Sequence, residues 1–123
     1  MGRDYRNIKA WQLADRLVIE VYKASRDFPK SEMFGLTSQM RRAAVSVAAN
    51  IVEGSARKSL NEYLHFLYIA LGSLAELGYY LKLCAEIGYI DESQEHSLDG
   101  LFQQTIKTLR ALINFIEKPK SNV

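Results

Sequence analysis

Apolar residues recur at helical spacing in four successive segments of this chain. The densest covers residues 36–57, where Met40, Ala43, Ala44, Val47 and Ile51 fall three and four apart and share one helix face. A second set, Val45, Ala48, Ala49, Val52 and Ala56, makes an adjoining stripe. What remains is a narrow polar seam of Ser38, Arg42, Ser46, Asn50, Glu53 and Arg57. A helix apolar on most of its circumference is enclosed on several sides. In a chain of 123 residues, a partner subunit is the expected source of part of that enclosure.

The first segment predicts a helix over about residues 8–27, with Trp11, Ala14, Val18, Val21, Ser25 and Phe28 inward, flanked by Leu17 and Tyr22. Lys9, Gln12, Arg16, Lys23 and Arg26 take its outer face. Phe28-Pro29 ends it, because the residue before proline avoids helical geometry. A connection with a short turn around residues 32–34 leads to the second helix, where Gly54 reads as a left-handed closing residue. Ser59-Leu-Asn-Glu62 is a capping box that opens the third helix, which runs to about residue 87. Its Leu64, Leu67, Leu71, Leu74, Gly78, Leu81 and Ala85 form an a/d seam beside Tyr63, Phe66, Ala70, Leu77, Tyr80, Cys84 and Ile87. Gly72 and Gly78 each lower helix propensity by about 1 kcal/mol and are read as points of close helix approach; Gly88 closes the helix. Asp91 and Gln94 open the fourth helix, with Leu98, Phe102, Thr105, Leu109, Leu112 and Ile116 as its seam. Pro119 and a polar tail end the chain. No segment alternates with period two, and short connections make sequential helices antiparallel neighbours. The expected fold is all-α: one domain over residues 1–123, an antiparallel up-down-up-down four-helix bundle.

Composition changes this picture little. Charged and apolar fractions are those of an ordinary globular protein. The single cysteine, Cys84, forms no internal disulfide and reads as a small core residue, which fits a reducing cytoplasm. The charged start lacks an apolar signal region, Arg6 stands where a myristoylation pattern wants Ser or Thr, and no apolar run spans a bilayer. Charge placement matters more. Residues 1–58 hold 11 Lys/Arg against 6 Asp/Glu, whereas residues 59–123 hold 5 against 8. The imbalance reads either as a basic face of the first two helices or as chance clustering on a solvated surface; symmetric assembly would multiply the former.

Catalytic motifs are absent. Glu62-Tyr-Leu-His65 has the Glu-x-x-His spacing of di-metal bundles, but such a site needs a second copy, and around His96 the spacing fails. There is no nucleophile elbow and no phosphate-cradling glycine loop. No cofactor and no enzymatic activity are expected. Arg41 and Arg42 are adjacent and diverge by about 100°. Each either pairs with a carboxylate such as Glu53 or Glu76 or meets phosphate, and a structural role for at least one is favoured. Arg57-Lys58, beside the start of the third helix, is a candidate phosphate site. Tyr79, Tyr80 and Tyr89 either stack on bases or pack at the bundle end.

Several blocks together resemble a known family. They are Tyr5-Arg6-Asn7 with Trp11-Gln12, then Phe28-Pro29, then the run from Gly35 through Arg41-Arg42 and Asn50 to Gly54. Ser59, Glu62, Phe66-Leu67, Ala70, Gly72-Ser-Leu-Ala-Glu-Leu77 and Gly88-Tyr-Ile90 complete the set. In order and spacing they resemble the bacterial four-helix-bundle proteins encoded in 23S rRNA intervening sequences, also called S23 ribosomal proteins, which are similar to the accessory variability proteins of diversity-generating retroelements. The resemblance implies a ring-like homopentamer, and, through those relatives, association with nucleic acid. Arg41, Arg42, Asn50, Glu53 and Arg57 match the family's central polar positions.

Two functions are therefore expected, neither enzymatic. The first is a cytoplasmic homo-oligomer that binds rRNA or another structured nucleic acid, with Arg3, Arg6, Lys9, Arg16, Arg41, Arg42, Arg57 and Lys58 as candidate phosphate contacts. Ser38, Ser46, Asn50 and Glu53 are then candidates for a polar seam or subunit interface. The second is an adaptor whose oligomer holds a protein partner. Neither involves a membrane.

Overall fold

Local chemistry sets each helix boundary in the computed structural model, which describes residues 3–118. A 3₁₀ turn at Tyr5–Asn7 leads into α1 (Lys9–Ser25). A second such turn, Lys30–Glu32, precedes α2 (Leu36–Ser55); it lies slightly earlier than the predicted turn because Pro29 starts it. α3 spans Leu60–Glu86 and α4 Glu92–Glu117. Asp91 and Gln94 form a complete reciprocal capping box. At Ser59 only half of the predicted box forms. The Ser59 hydroxyl accepts the Glu62 amide at 3.0 Å, but the Glu62 carboxylate takes the Ser59 hydroxyl rather than the backbone. The N-terminus of α2 lacks a side-chain cap at Gly35; Glu32 reaches forward, and its carboxylate accepts the Leu36 amide at 3.2 Å.

α1 packs on α2 and α4, and α3 packs on the same two, while the diagonal pairs do not approach. Contacts between neighbours run in opposite senses. Gly54 meets Tyr63 and Phe66, Ser46 meets Ser73, and Met40 meets Cys84 along α2 and α3. Gly78 meets Phe102, and Tyr68 bonds Glu117, along α3 and α4. At the far end of α1 and α2, Arg3 bonds the Arg57 carbonyl. The four-helix bundle is therefore the predicted one, and no strand occurs among the described residues.

One core fills the bundle, with Leu17, Met40, Ile51, Leu67, Leu74, Leu77 and Leu109 fully buried. The predicted α2 stripe from Met40 to Ile51 lies in it. The inward face of α1 is rotated from the prediction: Ala10 and Leu13 join Ala14, Leu17 and Val21, while Trp11 and Val18 are half-buried. Leu17 sits at the centre of the face because two neighbouring helices, α2 and α4, must both be met. The second apolar stripe of α3 is buried within the chain except at Ile87 and, in part, at Phe66 and Tyr80. That of α2 is not. Val45, Ala49 and Ala56 are exposed, and nothing among the described residues covers them.

The glycines correct two expectations. Gly88 is the only described glycine with positive φ, +82°, and it closes α3. Gly54 is helical and buried instead. A Cβ there would lie 2.8 Å from Phe66 Cβ and 3.3 Å from the Tyr63 carbonyl, so its role is the close approach of α2 to α3. Gly78 has the predicted role, against the Phe102 ring, whereas Gly72 faces open space. The predicted stop at Pro119 lies outside the described residues.

Candidate functional site

The polar seam of α2 divides into a hydrogen-bonded stretch and an exposed one. Ser46 and Asn50 face α3, where the Ser46 hydroxyl lies 2.8 Å from that of Ser73, and Asn50 Nδ2 donates to the Ser46 carbonyl at 2.8 Å and its hydroxyl at 3.0 Å. This small network joins α2 to α3 across a half-buried surface. Ser73 was not singled out in the sequence, although its spacing places it opposite Ser46 once the helices are antiparallel. Ser38 is half-buried beside Leu36 and Thr37, and Glu53 is exposed.

Arg41 and Arg42, one residue apart, have separate fates. Arg41 turns toward α1. Its Nε donates to the Ser25 hydroxyl at 2.8 Å, and its guanidinium lies 4.6 Å from the Tyr22 ring centroid. Ser25 in turn donates to the Val21 carbonyl at 2.8 Å. The structural role expected for one of the pair is thus met by a hydroxyl and an aromatic face, not by a carboxylate. Glu76, one carboxylate considered, accepts the Tyr80 phenol instead. Arg42 points outward and is exposed, and its guanidinium makes no ion pair or hydrogen bond among the described residues. A shallow hollow of about 370 Å³ lies here, lined by Tyr22, Arg41, Arg42, Val45 and Ser46.

Arg57 is engaged at the other end of α2. It pairs with Glu53 at 3.0 Å, and its guanidinium lies 4.7 Å from the Phe66 centroid. Its carbonyl accepts Arg3 Nη1 at 2.8 Å, and the Arg3 guanidinium lies 4.3 Å over Tyr63. Burial raises the Tyr63 phenol, against a smaller lowering by Arg3. The close approach at Gly54 is what brings Tyr63 and Phe66 under these two cations. Arg6 pairs with Asp4 at 2.9 Å, which lowers the Asp4 carboxyl through that hydrogen bond. Lys9 and Lys58 are exposed.

The predicted basic residues therefore do not form one cluster. Arg42 and Arg57 are fifteen residues apart, roughly 22 Å at the rise of a helix. Arg16 is further removed, in a hollow between α1 and α4 with Glu20, His96 and Gln104. Of the aromatic candidates, Tyr80 bonds Glu76, Tyr89 bonds Glu32 at 2.8 Å and stacks near Phe28, and Tyr79 is exposed. No group of three or more His, Cys, Asp or Glu able to hold a metal occurs among the described residues. Glu62 serves the α3 cap, and His65 lies edge-on to Phe66. No helix among them is long and apolar enough to cross a membrane.

Residues 6–111 match the sequence model of the family described as 23S rRNA-intervening sequence protein. The fold is similar to the crystal structure, at 1.70 Å, of a protein of unknown function from the S23 ribosomal protein family of Bacteroides thetaiotaomicron VPI-5482. The two share 23% identity over 85% of this chain and 95% of that one, with a TM-score of 0.78, a likeness of fold. No curated protein matches the chain.

Proposed function

The chain belongs to the 23S rRNA-intervening sequence protein family, and from that membership and the Arg42 surface we propose a non-enzymatic, cytoplasmic homo-oligomer that binds structured RNA. The observation that carries the reading is Arg42, an exposed guanidinium without a partner among the described residues, set in a hollow beside Tyr22 and Arg41. An arginine fork suits phosphate oxygens, and the aromatic rim suits an unstacked base. The exposed stripe of Val45, Ala49 and Ala56 supports assembly, because nothing among the described residues covers it. A ring of five copies, the number that the family resemblance implies, would repeat Arg42 five times and turn a net charge of +2 per chain into a concentrated field. Lys9 and Lys58 add peripheral phosphate contacts.

Fluorescence anisotropy with a structured rRNA fragment, against duplex DNA and across a salt series, tests this. Wild-type binding weakens as salt rises, since each neutralised phosphate releases counterions. Arg42→Glu weakens binding at least tenfold and flattens the salt slope. Arg16→Glu, on the α1–α4 side, changes little. No binding at low salt, or equal binding by the Arg42 variant, overturns the proposal.

A second reading is an adaptor for a protein partner. It is favoured by the engagement of Arg3, Arg6, Arg41 and Arg57 within the chain, which leaves less basic surface than the charge count suggests. Recovery of one stoichiometric protein partner after nuclease treatment would support it over RNA.

A further inference from the structure

We propose that the hollow between Tyr22 and Arg42 takes one unpaired nucleotide of an RNA strand, with its base against the Tyr22 ring and its phosphate on Arg42. The inference rests on the RNA-binding reading and names what that same site recognises. Two kinds of surface meet in the hollow. Arg41 and Arg42 supply guanidiniums, while the Tyr22 ring and Val45, 43% and 41% exposed, supply apolar contact. A phosphate alone needs no aromatic surface, and a base alone needs no cation; a nucleotide uses both. The volume of about 370 Å³ is at the small end of ligand pockets and suits one nucleotide rather than a length of strand.

Tyr22 is held ready for stacking. Arg41 covers one face of its ring, with the guanidinium 4.6 Å from the centroid. Arg41 is itself fixed, since its Nε donates to the Ser25 hydroxyl at 2.8 Å and Ser25 is buried and bonded to the Val21 carbonyl. No other ring packs on Tyr22 among the described residues. An aromatic side chain already immobilised loses little freedom when a base stacks on it.

Charge points the same way. The α3–α4 groove and the hollows beside Lys23, Glu92 and Arg16 each have a carboxylate in their lining, whereas this hollow has none. Glu76, one turn past Ser73 on α3, accepts the Tyr80 phenol at 3.1 Å and makes no ion pair with Arg42. A phosphate therefore meets two guanidiniums with no carboxylate competing inside the hollow. In a duplex the bases are stacked on one another and offer no face to Tyr22, so paired strands keep only the phosphate contact.

Fluorescence anisotropy at low salt tests it, with a short single-stranded RNA, the blunt duplex of the same sequence, and an abasic strand of the same length that keeps the phosphates. Tyr22→Leu and Tyr22→Phe are compared with the wild type, with helicity and mass checked against it. The wild type is expected to prefer the single strand. Tyr22→Leu should weaken single-strand binding about tenfold, the weight of one base–aromatic stack, and leave duplex binding unchanged. Tyr22→Phe should bind as the wild type does, and the abasic strand should bind the wild type about as weakly as Tyr22→Leu binds the RNA. The nucleotide hollow alone is overturned if Tyr22→Leu keeps single-strand binding or loses strand and duplex equally, if Tyr22→Phe is as weak as Tyr22→Leu, or if the abasic strand binds as tightly as the RNA. A wild type that binds the structured rRNA fragment but not the single strand overturns it in the same way. No binding of strand, duplex or structured fragment overturns both this inference and the RNA-binding reading.

Discussion

Three glycine-to-alanine changes within helices should have three different outcomes, ordered by what the new methyl group meets. Replacing glycine by alanine in a helix gains about 1 kcal/mol of propensity wherever the site is open. Gly72 is open, with no other helix and no side chain beyond its chain neighbours within 4 Å of where a Cβ would stand, so Gly72→Ala should stabilise by nearly that amount. At Gly54 the methyl would sit 2.8 Å from Phe66 Cβ and 3.3 Å from the Tyr63 carbonyl, both fixed by the α3 backbone. Relief requires α2 and α3 to separate, and overpacking of this kind costs about 1–3 kcal/mol. The net effect of Gly54→Ala is a loss of up to about 2 kcal/mol. Gly78 is intermediate, because its obstacle at 2.6 Å is the far end of the Phe102 ring, which can swing aside. Gly78→Ala should be close to neutral. For a chain of this length each kcal/mol moves the melting temperature by about 4 °C. Gly72→Ala and Gly54→Ala should therefore differ by roughly 4–12 °C in melts followed at 222 nm. Chain concentration must be equal in all samples, since the proposed assembly would add concentration-dependent stability. A Gly54→Ala protein that melts at or above wild type refutes the close-approach argument, and so does a Gly72→Ala protein that melts below it.

The Cys84 thiol should resist an aromatic disulfide reagent at pH 8 in the native protein and react only on denaturation. Burial first, and the Glu32 charge second, push it up to about 11, which leaves little reactive thiolate; stoichiometric labelling in native buffer within minutes would contradict this. The Glu32 hydrogen bond, then burial, raises the Tyr89 phenol above its ordinary value of 10.0. A raised folded-state pKa means a contribution fully present below about pH 10 and lost as pH climbs through the folded value. The urea midpoint of the wild type should fall between pH 9 and 11 more steeply than that of Tyr89→Phe, and parallel curves would show that the Glu32 contact does not couple to folding.

Helix number, order and termini were legible in the sequence because they depend on local signals. Asp91 with Gln94, Gly88 and Phe28-Pro29 each act within a turn of their own position. The angular placement of faces was less so. On α1 the pattern Trp11-Ala14-Val18 is as regular as Leu13-Leu17, and only the joint demands of α2 and α4 select the latter. Gly54 was misread for a related reason. Near a helix end, glycine suits a left-handed closure or a tight crossing equally well, and the decision belongs to Phe66 and Tyr63 on another helix. Partners across the fold were least legible. Ser25 for Arg41, Ser73 for Ser46 and Tyr89 for Glu32 are separated by 16, 27 and 57 residues, and no local pattern joins them. The exposed Phe34 tip left no periodic signature, since it belongs to a connection.

The split between Arg41 and Arg42 shows how a helix sorts a candidate site. Adjacent positions differ by about 100°, so a basic pair on a bundle helix delivers one cation toward a neighbouring helix and one away from it. Arg41 falls on the α1 side, where Ser25 and the Tyr22 ring satisfy it without a carboxylate. That arrangement keeps its positive charge uncancelled at the edge of the hollow that Arg42 also lines. Arg57, by contrast, lies just past the end of α2 and is neutralised by Glu53, four residues earlier in its last turn. The positive potential of α2 is therefore concentrated at its first third, although the sequence spreads arginine to both ends. Arg41 raises the local field and braces Tyr22 without having to leave its bonds. Of the two, only Arg42 is exposed with no partner for its guanidinium among the described residues. Charge reversal at Arg42 should thus lose a contact, whereas loss of Arg41 should combine weaker attraction with a loosened α1–α2 packing, visible as a lower melting temperature that the Arg42 variant does not share.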